Sequence, residues 1–310
     1  AGEDVPVAVI LRNDMAHLEV MRPFEDIAIA GFHGQTLAHD PGGRGTHQCG
    51  DGARLAQMLS YPVAWDFRSN DVAQGGQGAP LAPFYHFALA KWIKAKAPVA
   101  FLNLGGVGNI TWVDPTHDDP ADPTALLAFD TGPANAPMND LMRTRSGLAY
   151  DLDGALAAMG QANTDVVADF MTHPFFSQTP PKSLDRDAFD GLTRAVAKLD
   201  DADALSTLVQ VVVRSVAAAC ATCPTMPKQL LVTGGGRHNK ALMSGLAGAV
   251  PCDVIPVEAV GLDGDMLEAQ AFAFLAVRTA RGLPISSPQT TGVGVPMTGG
   301  IVSSQFKTAP

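Results

Sequence analysis

The stretch Ala128-Phe129-Asp130-Thr131-Gly132-Pro133-Ala134-Asn135 constrains this chain more than any other. Residues 124–129 are an apolar run that reads as a buried strand, and the run ends in a carboxylate followed by small, turn-forming residues. In open α/β sheets, ligands collect outside the carboxyl ends of the strands, where loops converge and helix N-termini offer free N–H groups. Asp130 therefore has two readings. It caps the helix predicted to begin near Pro133, or it is placed for chemistry.

Other strand ends repeat the pattern. Residues 27–30 are predicted as a short buried strand running into Gly31-Phe-His-Gly-Gln-Thr36, where His33 is either a proton carrier or a ring bonded to a neighbouring loop. Residues 62–67 form a further strand, after which come Arg68 and the loop Gly75-Gly-Gln-Gly-Ala-Pro80. The planar fork of an Arg matches a carboxylate or phosphate in two-point contact, and glycines let backbone amides approach a ligand. A solvated Arg–Asp pair with Asp66 or Asp71 is the plainer alternative.

Residues 98–104 read as a strand, Gly105-Gly106 as a turn and residues 110–113 as the returning strand, a hairpin whose amides can wrap phosphate oxygens. An ordinary Gly-rich hairpin has the same appearance. Residues 228–232 form another strand, followed by Thr233-Gly-Gly-Gly-Arg-His-Asn239 and a helix over 240–249. That turn permits close approach of a flat ring or a phosphate chain. Helices are also predicted over 53–59, 81–94, 201–223 and 263–281, the last carrying Glu268. Residues 5–11 read as a strand. Two alternating sets of strands and helices predict an α/β chain in two lobes, with polar strand ends meeting in the cleft between them.

Composition narrows the function classes. The 310 residues are 46% hydrophobic, enough for one large or two medium cores. A net charge of -10 argues against nucleic acid or an anionic membrane as partner, both of which need a basic face. Cys220-Ala-Thr-Cys223 has redox or zinc spacing, yet it ends an apolar helix and no second pair completes a tetrahedral site, so the four cysteines read as structural thiols. No apolar run reaches the roughly 18 to 20 residues of a spanning helix, and no signal-peptide pattern opens the sequence, so a cytoplasmic location is expected.

Taken together, the motifs resemble one family, the anhydro-N-acetylmuramic acid kinases of bacterial cell-wall recycling, within the sugar kinase, heat-shock 70 and actin superfamily. The resemblance rests on His33-Gly-Gln-Thr36, Gly50-Asp-Gly52, Asp66-Phe-Arg68 with the glycine loop after it, Asn103-Leu-Gly-Gly106 with Asn109, Asp130-Thr-Gly-Pro133 with Asn135, Pro181-Lys-Ser183, Gly234-Gly-Gly236 with Asn239, and residues 265–273 around Glu268. It implies a two-lobed actin-like ATPase (ribonuclease H-like) fold with its active site in the interlobe cleft, the N-terminal lobe expected over 1–130 and the C-terminal lobe over 131–310. It implies ATP and Mg²⁺ as cofactors, a small-molecule sugar as substrate, and a homodimer. The implied reaction is hydrolytic opening of 1,6-anhydro-N-acetylmuramic acid coupled to phosphorylation, giving N-acetylmuramic acid 6-phosphate.

By the same resemblance Asp130 is the general base. His33, Thr36, Arg68 and Glu268 hold the sugar. Asn103, Gly105, Gly106 and Asn109 face the phosphates, and Gly234, Gly235, Gly236 and Asn239 face the adenosine. The residues that hold Mg²⁺ are left unassigned. This chain departs from the family pattern at Ala134, where Gly is usual, and at Leu184-Asp185, where Thr-Gly is usual, so the loop at 182–187 is expected to meet its ligand differently or not at all. The family's opening Gly-Thr-Ser-x-Asp-Gly turn has no counterpart in residues 1–26. The expectation is a piece of a longer product; the other reading is a sugar-binding or regulatory protein that has lost phosphate chemistry. Either way, these 310 residues alone are expected to bind ATP poorly. A polyphosphatase of the same superfamily fits less well, because its basic channel is not evident in an acidic chain.

Overall fold

The computed structural model describes residues 5–184 and 189–304, which leaves Asp185, Arg186 and Asp187 of the altered loop outside the described residues. The chain forms two compact units, one of residues 86–265 and one of the segments before and after it, 1–85 and 266–310. The expected boundary near residue 130 is not where the division falls. The strand carrying Asp130 is hydrogen-bonded along its length into the sheet of the second unit, so a cut there would open a ladder.

The first unit opens with α1 (Val7–Met21), then β1 (Ala30–Phe32), the hairpin β2 (Gln35–Asp40) and β3 (Gly45–Cys49), α2 (Gly52–Leu59), β4 (Val63–Trp65) and α3 (Ser69–Ala73). Residues 5–11 were expected as a strand, and α1 is a helix instead. Its contacts recur at helical spacing: Asn13 Nδ2 donates to the Cys49 carbonyl, Asp14 accepts from the Asp51 N–H and pairs with Arg54 at 3.1 Å, and Leu18 is buried in the core. The apolar side chains that suggested a strand, Val7, Val9 and Leu11, are exposed. That core gathers Leu18, Phe32, Leu55, Ala56 and Val63.

Helix α4 (Pro83–Trp92) carries the chain into the second unit. There follow β5 (Val99–Leu104), β6 (Val107–Val113), β7 (Leu126–Pro133), α5 (Asn135–Ser146), α6 (Thr164–Phe170), α7 (Asp190–Ala195), α8 (Asp201–Thr222), β8 (Gln229–Thr233), α9 (Lys240–Ala249) and β9 (Asp253–Pro256). The strands form one mixed sheet in the order β7-β6-β5-β8-β9, antiparallel from β7 to β5 and parallel from β5 to β9. Residues 99–102 of β5 are a continuous apolar run because both faces of the strand are covered there. Ala100, Leu102 and Leu104 enter the core with side chains of α5, α8 and α9, while Phe101 on the opposite face is stacked by His86 of α4, centroids 4.7 Å apart.

Helix α8 is apolar all round and therefore sits inside the protein. Its 22 residues have the length and hydropathy of a membrane span, contrary to the reading that no run reaches it, but two thirds of its apolar window, 67%, is buried in this core. Its start is fixed by Asp200, whose side chain accepts the Asp203 N–H, with Asp201 and Asp203 in the first turn where the helix dipole favours acids. The thiols at its end are structural: burial pushes Cys223 up to about 12 and Cys220 higher still. The chain then returns to the first unit through α10 (Leu267–Ala280), α11 (Pro288–Thr291) and β10 (Ile301–Ser303), the last completing the sheet β1-β4-β10.

Candidate active site

Asp130 lies within β7, and the strand runs on to Pro133 instead of ending at Phe129 as the sequence suggested. It does not cap α5, whose N-cap is Ala134 with no side-chain bond. Register instead places it in a polar row. Asp130 pairs with Asn109, Asn109 with Asn103, and Asn103 with Thr233, across four adjacent strands. Directly opposed residues share a face of a sheet, with Cβ atoms about 5 Å apart, so one face carries a carboxylate, two amides and a hydroxyl in line, Asn103 and Thr233 at the carboxyl ends of β5 and β8. The Asp130 N–H donates to the Lys182 carbonyl at 2.9 Å, and Oδ2 accepts from the Leu184 N–H at 2.7 Å. Burial pushes the carboxyl up to about 6, against the Leu184 bond, which lowers it.

The Gly105-Gly106 turn joins β5 to β6 and docks the start of α5. The Asn135 N–H donates to the Gly105 carbonyl, the Ala134 N–H to the Gly106 carbonyl, and Asn135 Nδ2 to the Leu104 carbonyl at 2.7 Å. Ala134 has φ -131°, so the departure from Gly needs no left-handed backbone. After β8 the chain makes a tight turn over Gly235–His238, and Asn239 caps α9 by accepting the Leu242 N–H. The Asn239 oxygen is thus committed to folding. A cavity of about 400 Å³ opens beside this turn, lined among others by Asn135, Met138, Leu152, Gly235, His238 and Asn239.

Arg237, which the sequence reading passed over, fixes the turn. Its guanidinium donates to the Gly234 carbonyl at 3.0 Å and pairs with Glu258 at 2.8 Å and Asp265 at 2.7 Å. The signal available was an Arg directly after three glycines, but both acids lie more than twenty residues away in sequence.

In the first unit His33 and Arg68 come together. His33 Nδ1 donates to the Gly34 carbonyl at 2.7 Å, which leaves Nε2 to accept the Arg68 Nε–H at 2.9 Å. Burial, then the Arg68 charge, push the imidazole down to about 4, so His33 is a neutral, loop-bonded ring and not a proton carrier at neutral pH. Arg68 also donates to the Gly78 carbonyl, and Glu268, exposed in the first turn of α10, lies close enough for its charge to act on the guanidinium. Thr36 is exposed on β2, where its hydroxyl accepts from Gln48.

The glycine loop after Arg68 is organised by Asp71, which the sequence offered only as one half of a solvated pair with Arg68. Asp71 is 2% exposed and accepts from the Gly78 N–H, the Ser286 hydroxyl and the Thr291 hydroxyl. Removing it by Asp71→Ala leaves three buried donors unsatisfied and is expected to cost about 3 kcal/mol or more, read as a lower denaturant midpoint with an unchanged slope.

The sequence profile of the anhydro-N-acetylmuramic acid kinases matches residues 11–304. The chain belongs to that family. The anhydro-N-acetylmuramic acid kinase of Cereibacter sphaeroides is 62% identical to it over 290 residues, 94% of this chain and 78% of that protein. That of Roseobacter denitrificans is 56% identical over 302 residues, 97% of this chain and 80% of that protein. A solved ROK family glucokinase from Streptomyces griseus in complex with glucose and AMPPNP is similar much more loosely, 12% identical with a TM-score of 0.43 over 89% of each chain. The family's motifs thus lie in this chain as two groups of residues, the polar row with its glycine turns in one unit and the His33–Arg68 pair with Glu268 in the other.

Proposed function

We propose that the chain phosphorylates 1,6-anhydro-N-acetylmuramic acid with ATP while water opens the anhydro bridge, and that Asp130 is the base that takes the proton from that water. The observation that carries the assignment is the state of Asp130: a half-buried carboxylate with one oxygen bonded and its pKa pushed up to about 6. A base near the working pH combines availability with proton affinity. The water oxygen bonds to C1 as the bond from C1 to the bridge oxygen breaks. The proton goes to Asp130, the released oxygen on C6 takes the γ-phosphoryl group, and ADP leaves. The product is N-acetylmuramic acid 6-phosphate.

Other residues bind and orient. Two of the five N–H donors of Arg68 are used by His33 and Gly78, and the rest suit the lactyl carboxylate of the sugar. Thr36 and Glu268 suit its hydroxyls and N-acetyl group. The cavity beside Gly235, with Met138 and Leu152 as apolar wall, suits adenosine, and the Gly105-Gly106 turn with Asn103 and Asn109 suits the phosphates. Among the described residues no group of three His, Cys, Asp or Glu forms a metal cage. Mg²⁺ would be held largely by waters and phosphate oxygens and would neutralise phosphate charge.

The test is ADP release followed with and without the anhydro-sugar. Release is expected to depend on the sugar and to fall tenfold per pH unit below about 6, as Asp130 takes up its proton. Sugar-independent release, or a flat profile down to pH 4.5, would contradict the reading.

A further inference from the structure

We propose that Lys182 is a positioning residue for Asp130: its ammonium anchors the backbone of residues 182–184, and that backbone holds the carboxylate with Oδ2 bonded and Oδ1 left to accept the proton. The inference rests on Asp130 being the base. Lys182 Nζ donates to the Phe175 carbonyl at 2.9 Å and lies 4.3 Å from the Phe175 ring centroid and 5.9 Å from that of Phe129, the residue before Asp130. Its charge is met by a carbonyl and two ring faces, an arrangement that holds a cation in place and turns it away from service as a phosphate ligand.

The anchored backbone then grips Asp130 twice. The Lys182 carbonyl accepts the Asp130 N–H, and two residues on, the Leu184 N–H donates to Oδ2. Among the described residues, Asn109 is the neutral neighbour of the carboxylate in register and Lys182 is directed at the two rings; burial raises the carboxylate's proton affinity and the Leu184 bond lowers it. The departure at Leu184 is compatible with this grip because a main-chain N–H makes the bond, while the leucine side chain packs against the core of the second unit.

The experiment is the pH profile of kcat for Lys182→Met in the intact protein. Losing the anchor loosens the Leu184 bond, which favours the charged carboxylate. The acid-limb midpoint is therefore expected to move above 6 and kcat to fall by about 10 to 10²-fold, since small misplacements of a catalytic group cost that much. KM for ATP stays unchanged. Lys182→Arg keeps a cation over Phe175 and restores both midpoint and rate. Leu184→Pro removes the N–H without touching the anchor and shifts the midpoint the same way, so the idea remains testable if Lys182→Met fails to fold. An unmoved midpoint in both, or a raised KM for ATP with kcat kept, overturns the proposal. Normal turnover in Asp130→Asn would instead remove the base on which it rests.

Discussion

Asp130→Asn is expected to lower turnover by about 10² to 10⁴-fold with sugar affinity near that of the parent, and to make the protein more stable at pH 8. The amide keeps the size of the carboxylate and an oxygen for the Leu184 N–H, and it cannot take a proton from water. The stability gain follows from the raised pKa. The folded protein holds this proton with a pKa of about 6, against 3.8 as the ordinary value. Between those values the folded state retains a proton that the unfolded chain has lost, so stability falls as pH rises through the window and stays low above it. About two pKa units correspond to about 3 kcal/mol, which the neutral Asn recovers at pH 8 and not at pH 3.5. Urea unfolding at both pH values beside sugar-dependent ADP release checks the two halves together. An Asn variant that turns over normally and is less stable at pH 8 would remove Asp130 from the chemistry.

The strands of the five-stranded sheet and several helices were legible because their signals are local, whereas β2, β3 and β10 were not predicted. Residues 98–102 are unbroken apolar sequence, and 240–249 follow an Asn at capping distance, so β5 and α9 are found close to where expected. The α1 helix was not legible: its long apolar side chains face outward, and the residues that seat it, Asn13 and Asp14, make their bonds with residues 49–54. The same holds at the site. Asp130 was found from its strand end, and Asn103 and Asn109 through the family resemblance, but the row that joins them to Thr233 depends on strand order, which nothing local encodes. Arg237 escaped notice, and Asp71 was read only as a solvated partner of Arg68, for the same reason. Each is a buried polar side chain with partners from distant segments, and each sets the shape of a glycine loop that the sequence showed only as open to close approach by a ligand.

Alanine at each of the three glycines after β8 separates folding from nucleotide binding. Gly234 has φ +72° and ψ 174°, a region open essentially to glycine alone. A Cβ there would stand 2.4 Å from Asn103 Oδ1 and 2.8 Å from the Leu104 carbonyl oxygen. Backbone must move, so Gly234→Ala is expected to cost about 3 kcal/mol and, by displacing Asn103 and the turn, about 10²-fold in kcat/KM for ATP. At Gly236 the added atom meets the buried Leu104 side chain at 2.4 Å, an overpacking worth about 1 to 3 kcal/mol with φ unstrained. At Gly235 the nearest atom, Asn135 Nδ2, is 3.8 Å away, so the protein tolerates the methyl. Gly235 also lines the cavity assigned to adenosine, and there the methyl takes up ligand space. Gly235→Ala should therefore leave the melting temperature alone and raise KM for ATP by about tenfold, a repulsion of about 1.4 kcal/mol. Unchanged KM for ATP in that variant, with Gly234→Ala impaired only in stability, would place the nucleotide away from this turn.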